Sequence, residues 1–198
     1  MREDKGMEQN REGTRSDPAP ATSEVRLRPF ESRDLPAITA IYRDAVLHGT
    51  ASFEIDPPDE QEMARRAAFL VDGGFSYWVA VSPREALLGY AYAGPYRPRP
   101  AYRFAVEDSI YVSGEARGKG VGRRLLARLI EDSEQRGFRQ MIAVIGDSAN
   151  VPSISLHHHH GFRLTGIFEA VGWKHGRWLD SVLMQRGLGA GKDEAAVS

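Results

Sequence analysis

Three features of the sequence predict an α/β fold in one domain. Runs rich in β-branched and aromatic residues alternate with segments whose apolar residues recur at helical spacing. One such run enters a helix through "ARGKGVGRRLL", Ala116 to Leu126, where three glycines crowd together among basic residues. The chain of 198 residues suits one domain with a sizeable core and would be cramped for two. Its 41% apolar and 27% charged residues fit a globular protein, and a formal net charge of -1 offers no broad positive field to nucleic acid or an anionic membrane. The sequence has no cysteine, which excludes a disulfide framework, a thiolate zinc site and a cysteine nucleophile, and fits a reducing cytoplasm. No apolar run reaches bilayer-spanning length, and the N-terminus lacks the apolar stretch of a signal peptide.

In chain order, residues 1–23 are polar and charged, with Pro18 and Pro20, and read as a disordered tail. Residues 24–188 form the domain, and residues 189–198 read as a second loose tail. "VRLRPF", Val25 to Phe30, alternates apolar and polar and predicts a first strand. Asp34 opens a helix in which Leu35, Ile38, Ile41 and Ala45 recur at helical spacing, with Gly49 as its stop. "PDEQEMARRAAFLVDGG" predicts a second helix, with Pro58 at its opening, acids in its first turn and a glycine pair at its end. "YWVAVS" and "ALLGYAYAG" predict a hairpin around Pro83, Arg84 and Glu85.

"EDSIYV", Glu107 to Val112, predicts a strand that ends just before the glycines. The helix after them runs to about Arg136, with Val121, Leu125, Leu126, Leu129 and Ile130 as its apolar stripe and Gly137 as its cap. "QMIAVIG" predicts a strand buried on both faces. "NVPSISLHHHHGF" predicts a short helix closed by Gly161, and "LTGIFEAVG" and "WLDSVLMQ" a last pair of strands.

The first N–H groups of a helix lack an intrahelical partner, and the helix dipole adds positive potential there. Gly118, Gly120 and Gly122 would let backbone approach a pyrophosphate, with Arg117, Lys119, Arg123 and Arg124 as counter-charge. The spacing G-x-G-x-G fits neither a Walker A loop nor a dinucleotide-binding loop. A flexible glycine loop before a basic helix is the alternative that spacing alone leaves open.

The order strand, R-G-x-G-x-G, long helix, strand, then N-x-x-S-x-x-L-x-x-x-x-G-F resembles the GCN5-related N-acetyltransferases, the GNAT superfamily. Within it, "GYAYAGPYRPRPAYRF", "VEDSIYV", "IAVIGDSANVPSISLH" and "VGWKHGRWLDSVLMQ" resemble the phosphinothricin and methionine-sulfoximine N-acetyltransferases, from about Val25 to Leu188. The resemblance implies a mixed, mostly antiparallel sheet of about seven strands with about four flanking helices, its central strands splayed around acetyl-CoA. It also implies a homodimer, a small-molecule amine acceptor, and no metal, nucleic acid or membrane partner.

The reaction implied is attack of a neutral amine on the acetyl-CoA thioester, so a base must take a proton from the ammonium. The resemblance gives that role to Glu107; a strand-edge carboxylate in a salt bridge is the alternative. Asp108 beside it points to the opposite sheet face. Backbone at Ile110 and Val112 would pair with the pantetheine amides. Arg117, Gly118, Lys119, Gly120, Val121 and Gly122 would hold the pyrophosphate. Asn150 and Ser153 would serve the cofactor arm, and Asn150 also reads as a helix N-cap.

The run His157 to His160 cannot share one ion, because consecutive helical residues point about 100° apart. The resemblance singles out His157, as acid for the departing thiolate or as a contact for an anionic group on the acceptor. Arg99 would clamp the acceptor carboxylate, with Arg97 a lesser candidate and a solvated loop the alternative for both. Phe53, Ala101 and Tyr102 would wall the pocket. Trp173 and Lys174 fall on a loop that the resemblance puts near it, often across a dimer interface, while Trp173 also reads as simple packing. Acetylation of another amine (a polyamine, an aminoglycoside, a protein N-terminus) and a non-catalytic acyl-CoA sensor remain the competing functions.

Overall fold

The computed structural model describes residues 25–195. The N-terminal tail expected over residues 1–23 and the last three residues of the C-terminal one lie outside that range. Seven strands form one sheet in the spatial order β1-β2-β3-β4-β5-β7-β6. They are β1 Arg26–Pro29, β2 Tyr77–Val81, β3 Leu87–Pro95, β4 Ala105–Val112, β5 Gln140–Gly146, β6 Arg163–Lys174 and β7 Arg177–Gly187. Four helices complete the domain: α1 Leu35–His48, α2 Glu60–Asp72, α3 Val121–Gln135 and α4 Val151–His159. Every strand pair is antiparallel except β4 with β5. This is the mixed, splayed sheet that the resemblance implied.

The helices cover both faces of the sheet. On one side Ile38, Val46, Met63 and Leu70 of α1 and α2 pack on Val79 and Tyr90. On the other, Leu125, Leu126 and Leu129 of α3 pack on Val106, Met141 and Met184. The stripe read from the α3 sequence is the buried face, and Asp132 at its far end accepts the indole N–H of Trp78 at 3.0 Å, tying α3 to β2. The second helix starts two residues later than Pro58 suggested, because Asp59 caps it by accepting the Glu62 N–H.

Two expectations need correction. The β5 strand is buried on one face only: Met141, Ala143 and Ile145 are inside, while Val144 is 39% exposed. The pairing of β5 with β4 ends at Ala143, and Val144 lies on the cleft that opens beyond it. Trp173 and Lys174 are not loop residues. They end β6 in register with Trp178 and Arg177, and the turn is confined to His175 and Gly176. Both turn residues have positive φ, 52° and 72°.

Candidate active site

The parallel pairing of β4 with β5 lasts four residue pairs, from Ala105 with Gln140 to Asp108 with Ala143. Beyond Asp108 the two strands part. The wedge between them is a narrow cleft of about 50 Å³ lined by Ser109, Ile110, Tyr111, Ile145 and Gly146, with Ser153 and His157 from α4 and its N-cap Asn150. On its other edge β4 stays paired with β3 through Ile110 with Ala91 and Val112 with Gly89. Its cleft-side backbone therefore has no strand partner, which suits an extended, amide-bearing arm.

The cleft opens toward the glycine stretch. The first hydrogen bond of α3 runs from the Arg124 N–H to the Gly120 carbonyl, so the amides of Val121, Gly122 and Arg123 have no acceptor within the helix. Gly118 and Gly120 take φ of 73° and 77°, and a Cβ on either would point into open space. The backbone thus turns its amides outward where side chains would be strained. Arg117, Lys119, Arg123 and Arg124 are all exposed around it. Gly122 is different: its Cβ would lie 3.5 Å from Leu156, an ordinary contact. This set of outward amides and cations fits a pyrophosphate.

Asn150 caps α4, its side-chain oxygen accepting the Ser153 N–H at 3.3 Å. That leaves its amide hydrogens free, so the two sequence readings of Asn150 are compatible. Strand alternation sets Glu107, Ser109 and Tyr111 on the α1–α2 face and Asp108 on the opposite one, as expected. Burial, then the negative charge of Asp108, pushes the Glu107 carboxyl up to about 7, with Arg97 opposing both. Among the described residues Glu107 forms no salt bridge, and Arg97 acts on it only at a distance.

His157 is 4% exposed. Its Nδ1 meets the Ser153 carbonyl at 2.7 Å and its Nε2 meets Asp108 Oδ2 at 2.9 Å. Burial pulls the imidazole down, but the bond to Asp108, that carboxylate's charge and the Ser153 carbonyl outweigh it and raise the group. Both ring nitrogens are engaged, so no free N–H faces the cleft. His158 and His159 are exposed and His160 half-buried. Among the described residues no group of three or more His, Asp or Glu side chains is placed to hold a metal ion.

The expected acceptor residues do not all converge. Arg99, Ala101 and Tyr102 sit exposed on the segment between β3 and β4, where Tyr102 packs edge-on against Tyr96. The arginine of that segment close enough to act on Glu107 is Arg97, the lesser of the two candidates. Phe53 lies on the α1–α2 loop against the bare backbones of Gly146 and Gly172. Lys174 is 4% exposed and donates to the Ser52 carbonyl at 2.7 Å, so its ammonium fastens that loop instead of meeting a ligand. Trp173 is 57% exposed and packs edge-on against Trp178. Sequence reasoning missed the tie between Asp108 and His157, since nothing local marks a partner 49 residues away.

A parallel pair splayed over a helix N-terminus, with a carboxyl poised near neutrality at the vertex, defines an acyl-CoA-dependent transferase. The acetyltransferase (GNAT) family model matches residues 14–162, and the chain belongs to that family. The phosphinothricin N-acetyltransferase of Alcaligenes faecalis is 53% identical over 165 residues, 83% of each chain. The L-methionine sulfoximine/L-methionine sulfone acetyltransferase of Pseudomonas paraeruginosa is 42% identical, over 78% of this chain and 90% of the relative. A crystal structure of a phosphinothricin acetyltransferase from Sinorhizobium meliloti in complex with AcCoA superposes with a TM-score of 0.86 at 50% identity, covering 88% of this chain and 94% of that one.

Proposed function

We propose that the chain transfers an acetyl group from acetyl-CoA to the α-amine of a small amino-acid-like acceptor of the phosphinothricin, methionine sulfoximine or methionine sulfone type. The observation that carries this reading is Glu107. A carboxyl raised to about 7 beside the cleft vertex is half ionised at neutral pH and matched to taking a proton from an ammonium. The pyrophosphate would rest on Arg117–Gly122, the arm would run along the free edge of β4 past Ile110 and Val112, and Asn150 and Ser153 would flank it.

The thioester supplies an electrophilic carbonyl. Glu107 takes one proton from the acceptor, directly or through a water. The amine nitrogen then bonds to the carbonyl carbon, and as the carbon–sulfur bond breaks the second amine proton passes to the departing sulfur, directly or through a water, so that CoA leaves as the thiol. Arg99 and Arg97 are the cations available for an acceptor carboxylate, and Phe53 and Tyr102 the aromatic walls. Two relatives named for such acceptors, at 53% and 42% identity, support this acceptor class.

Acetylating a toxic amino-acid analogue would neutralise its amine, a detoxifying role in the cytoplasm. A homodimer is supported by the apolar side chains exposed on the β6–β7 hairpin: Leu164, Ile167, Phe168, Val171, Trp173 and Trp178. The test is CoA release from acetyl-CoA with a panel of amines. Turnover with methionine sulfone or phosphinothricin well above that with polyamines, aminoglycosides and N-terminal peptides is the expected result. Acetyl-CoA binding without turnover on any amine would favour a sensor.

A further inference from the structure

The two oxygens of Asp108 have different fates. Oδ2 meets His157 Nε2 at 2.9 Å, while Oδ1 is buried and has no hydrogen-bond partner among the described residues. The residue itself is 7% exposed and lines the cleft. A carbonyl can only accept, so the contact between His157 Nδ1 and the Ser153 oxygen puts a proton on Nδ1. A proton must also lie between Nε2 and Oδ2, since two lone pairs would otherwise face each other. The pair therefore holds one shared proton, the carboxylate is fixed, and Oδ1 is left over. A buried carboxylate oxygen without a donor is unfavourable and marks a place where a donor is due.

The position of Asp108 indicates which donor. It is the last β4 residue paired with β5, at the vertex of the cleft. From Asp108 to Val112 the strand covers four residue steps, about 13 Å of extended chain, before the glycine stretch begins. On the proposed reading, an arm anchored by its phosphates at Arg117–Gly122 runs back along this strand. Its thioester end, with the amide next to it, then arrives beside Asp108. This is the sheet face opposite Glu107, the side of the cofactor and not of the acceptor.

We propose that Asp108 is a cofactor-binding residue whose Oδ1 accepts a hydrogen bond from the amide N–H nearest the thioester, with His157 and Ser153 as positioning groups. His157 then acts through Asp108 instead of meeting the departing sulfur itself. The inference rests on the acyl-CoA reading above and goes beyond it, by giving a side chain to a contact otherwise left to backbone.

The test is a cycle between variant and donor. S-acetyl-N-acetylcysteamine carries the relevant amide, and S-acetyl-mercaptoethyl acetate replaces that N–H with an ester oxygen. Thiol release is read with a thiol reagent, and the protein has no cysteine to add background. Asp108→Leu is expected to lower kcat/KM for the amide donor about 10- to 100-fold, and for the ester donor less than about threefold. Asp108→Asn is expected to keep the preference for the amide donor that Asp108→Leu loses, because its amide can donate to a neutral imidazole while its oxygen replaces Oδ1; loss of the Asp108 charge shifts the pH profile of both donors alike. His157→Ala should show a smaller loss with the same amide selectivity.

Equal losses on both donors in Asp108→Leu, or an Asp108→Asn that loses the amide preference as Asp108→Leu does, would overturn the proposal. A wild type that fails to release thiol with every amine of the panel would defeat the proposed function separately. The inference is then read by calorimetric binding of acetyl-CoA: about 10- to 100-fold weaker in Asp108→Leu supports it, and unchanged binding overturns it.

Discussion

Glu107 and Asp108 are neighbours on β4 that face opposite sides of the sheet, and the charge of Asp108 helps keep a proton on Glu107. Burial is the larger cause and Asp108 the second, against Arg97. On the proposed reading, the cofactor side of the cleft thereby tunes the base on the acceptor side.

If Glu107 is the base, its active form is the carboxylate, and kcat/KM should rise with pH through about 7 and then level. Glu107→Gln should lose about 10²–10⁴-fold in single-turnover rate at neutral pH and regain part of it at higher pH, where more amine arrives neutral. Acetyl-CoA affinity should hold. A wild-type rate at pH 7 in this variant would remove Glu107 from the chemistry.

The same shift has a stability consequence of opposite sign. A carboxyl raised in the folded state opposes folding once it ionises: the effect is absent below the unfolded value near 4.5 and complete above about 7. Glu107→Gln should therefore be more stable than wild type at pH 8, by about 2–3 kcal/mol, and indistinguishable from it at pH 4. Urea unfolding at the two pH values checks this.

Arg97 and Arg99 can be separated by what each variant changes. Arg97 lowers the Glu107 carboxyl, so Arg97→Ala should move the rising limb of the pH profile to higher pH. Arg99→Ala should leave that limb in place and raise the acceptor KM about ten- to a hundred-fold through a lost charge-assisted pair. A shifted limb in Arg99→Ala alone would exchange the two roles.

How far the sequence disclosed the molecule depended on whether the information was local. Periodicity placed all seven strands and four helices, because apolar stripes and glycine stops act within one element. The glycine turn into α3 was legible for the same reason: Gly118 and Gly120 hold positive φ next to a helix start. The surroundings of Lys174 were not. Its motif suggested a ligand contact, but the hairpin carries its ammonium to the Ser52 carbonyl, 122 residues away in sequence. The one-sided burial of β5 escaped notice because an apolar run reads alike whether helix, strand or partner subunit covers it.

The apolar side chains exposed on the β6–β7 hairpin give a prediction about assembly. Trp173 and Trp178 pack edge-on, with ring centroids 5.2 Å apart, and both remain more than half exposed. Trp173→Glu should convert a dimer to a monomer in sedimentation without changing the secondary structure. A monomeric wild type would show that this surface serves something other than a second copy.

The last prediction concerns the α1–α2 loop. A Cβ on Gly172 would lie 2.4 Å from Phe53 Cε2 and 2.7 Å from Cδ2, so Gly172→Ala cannot keep the ring where it is. The backbone of Gly172 has ordinary φ, and the three atoms nearest the added Cβ all belong to the Phe53 ring. The loop itself is fastened by Lys174 to Ser52 and by His175 to the Gly49 carbonyl at 3.1 Å. It cannot retreat as a body, so the ring must swing out. Overpacking of this kind destabilises by about 1–3 kcal/mol. If Phe53 walls the acceptor pocket, Gly172→Ala should raise the acceptor KM about tenfold while the acetyl-CoA KM barely moves. Phe53→Ala should do the same. Because both changes act on one ring, Gly172→Ala added to Phe53→Ala should raise the acceptor KM no further and should lose its own destabilisation. Additive effects in that double-mutant cycle would mean that Gly172 acts through something other than Phe53, and the aromatic wall would have to be sought at Tyr102.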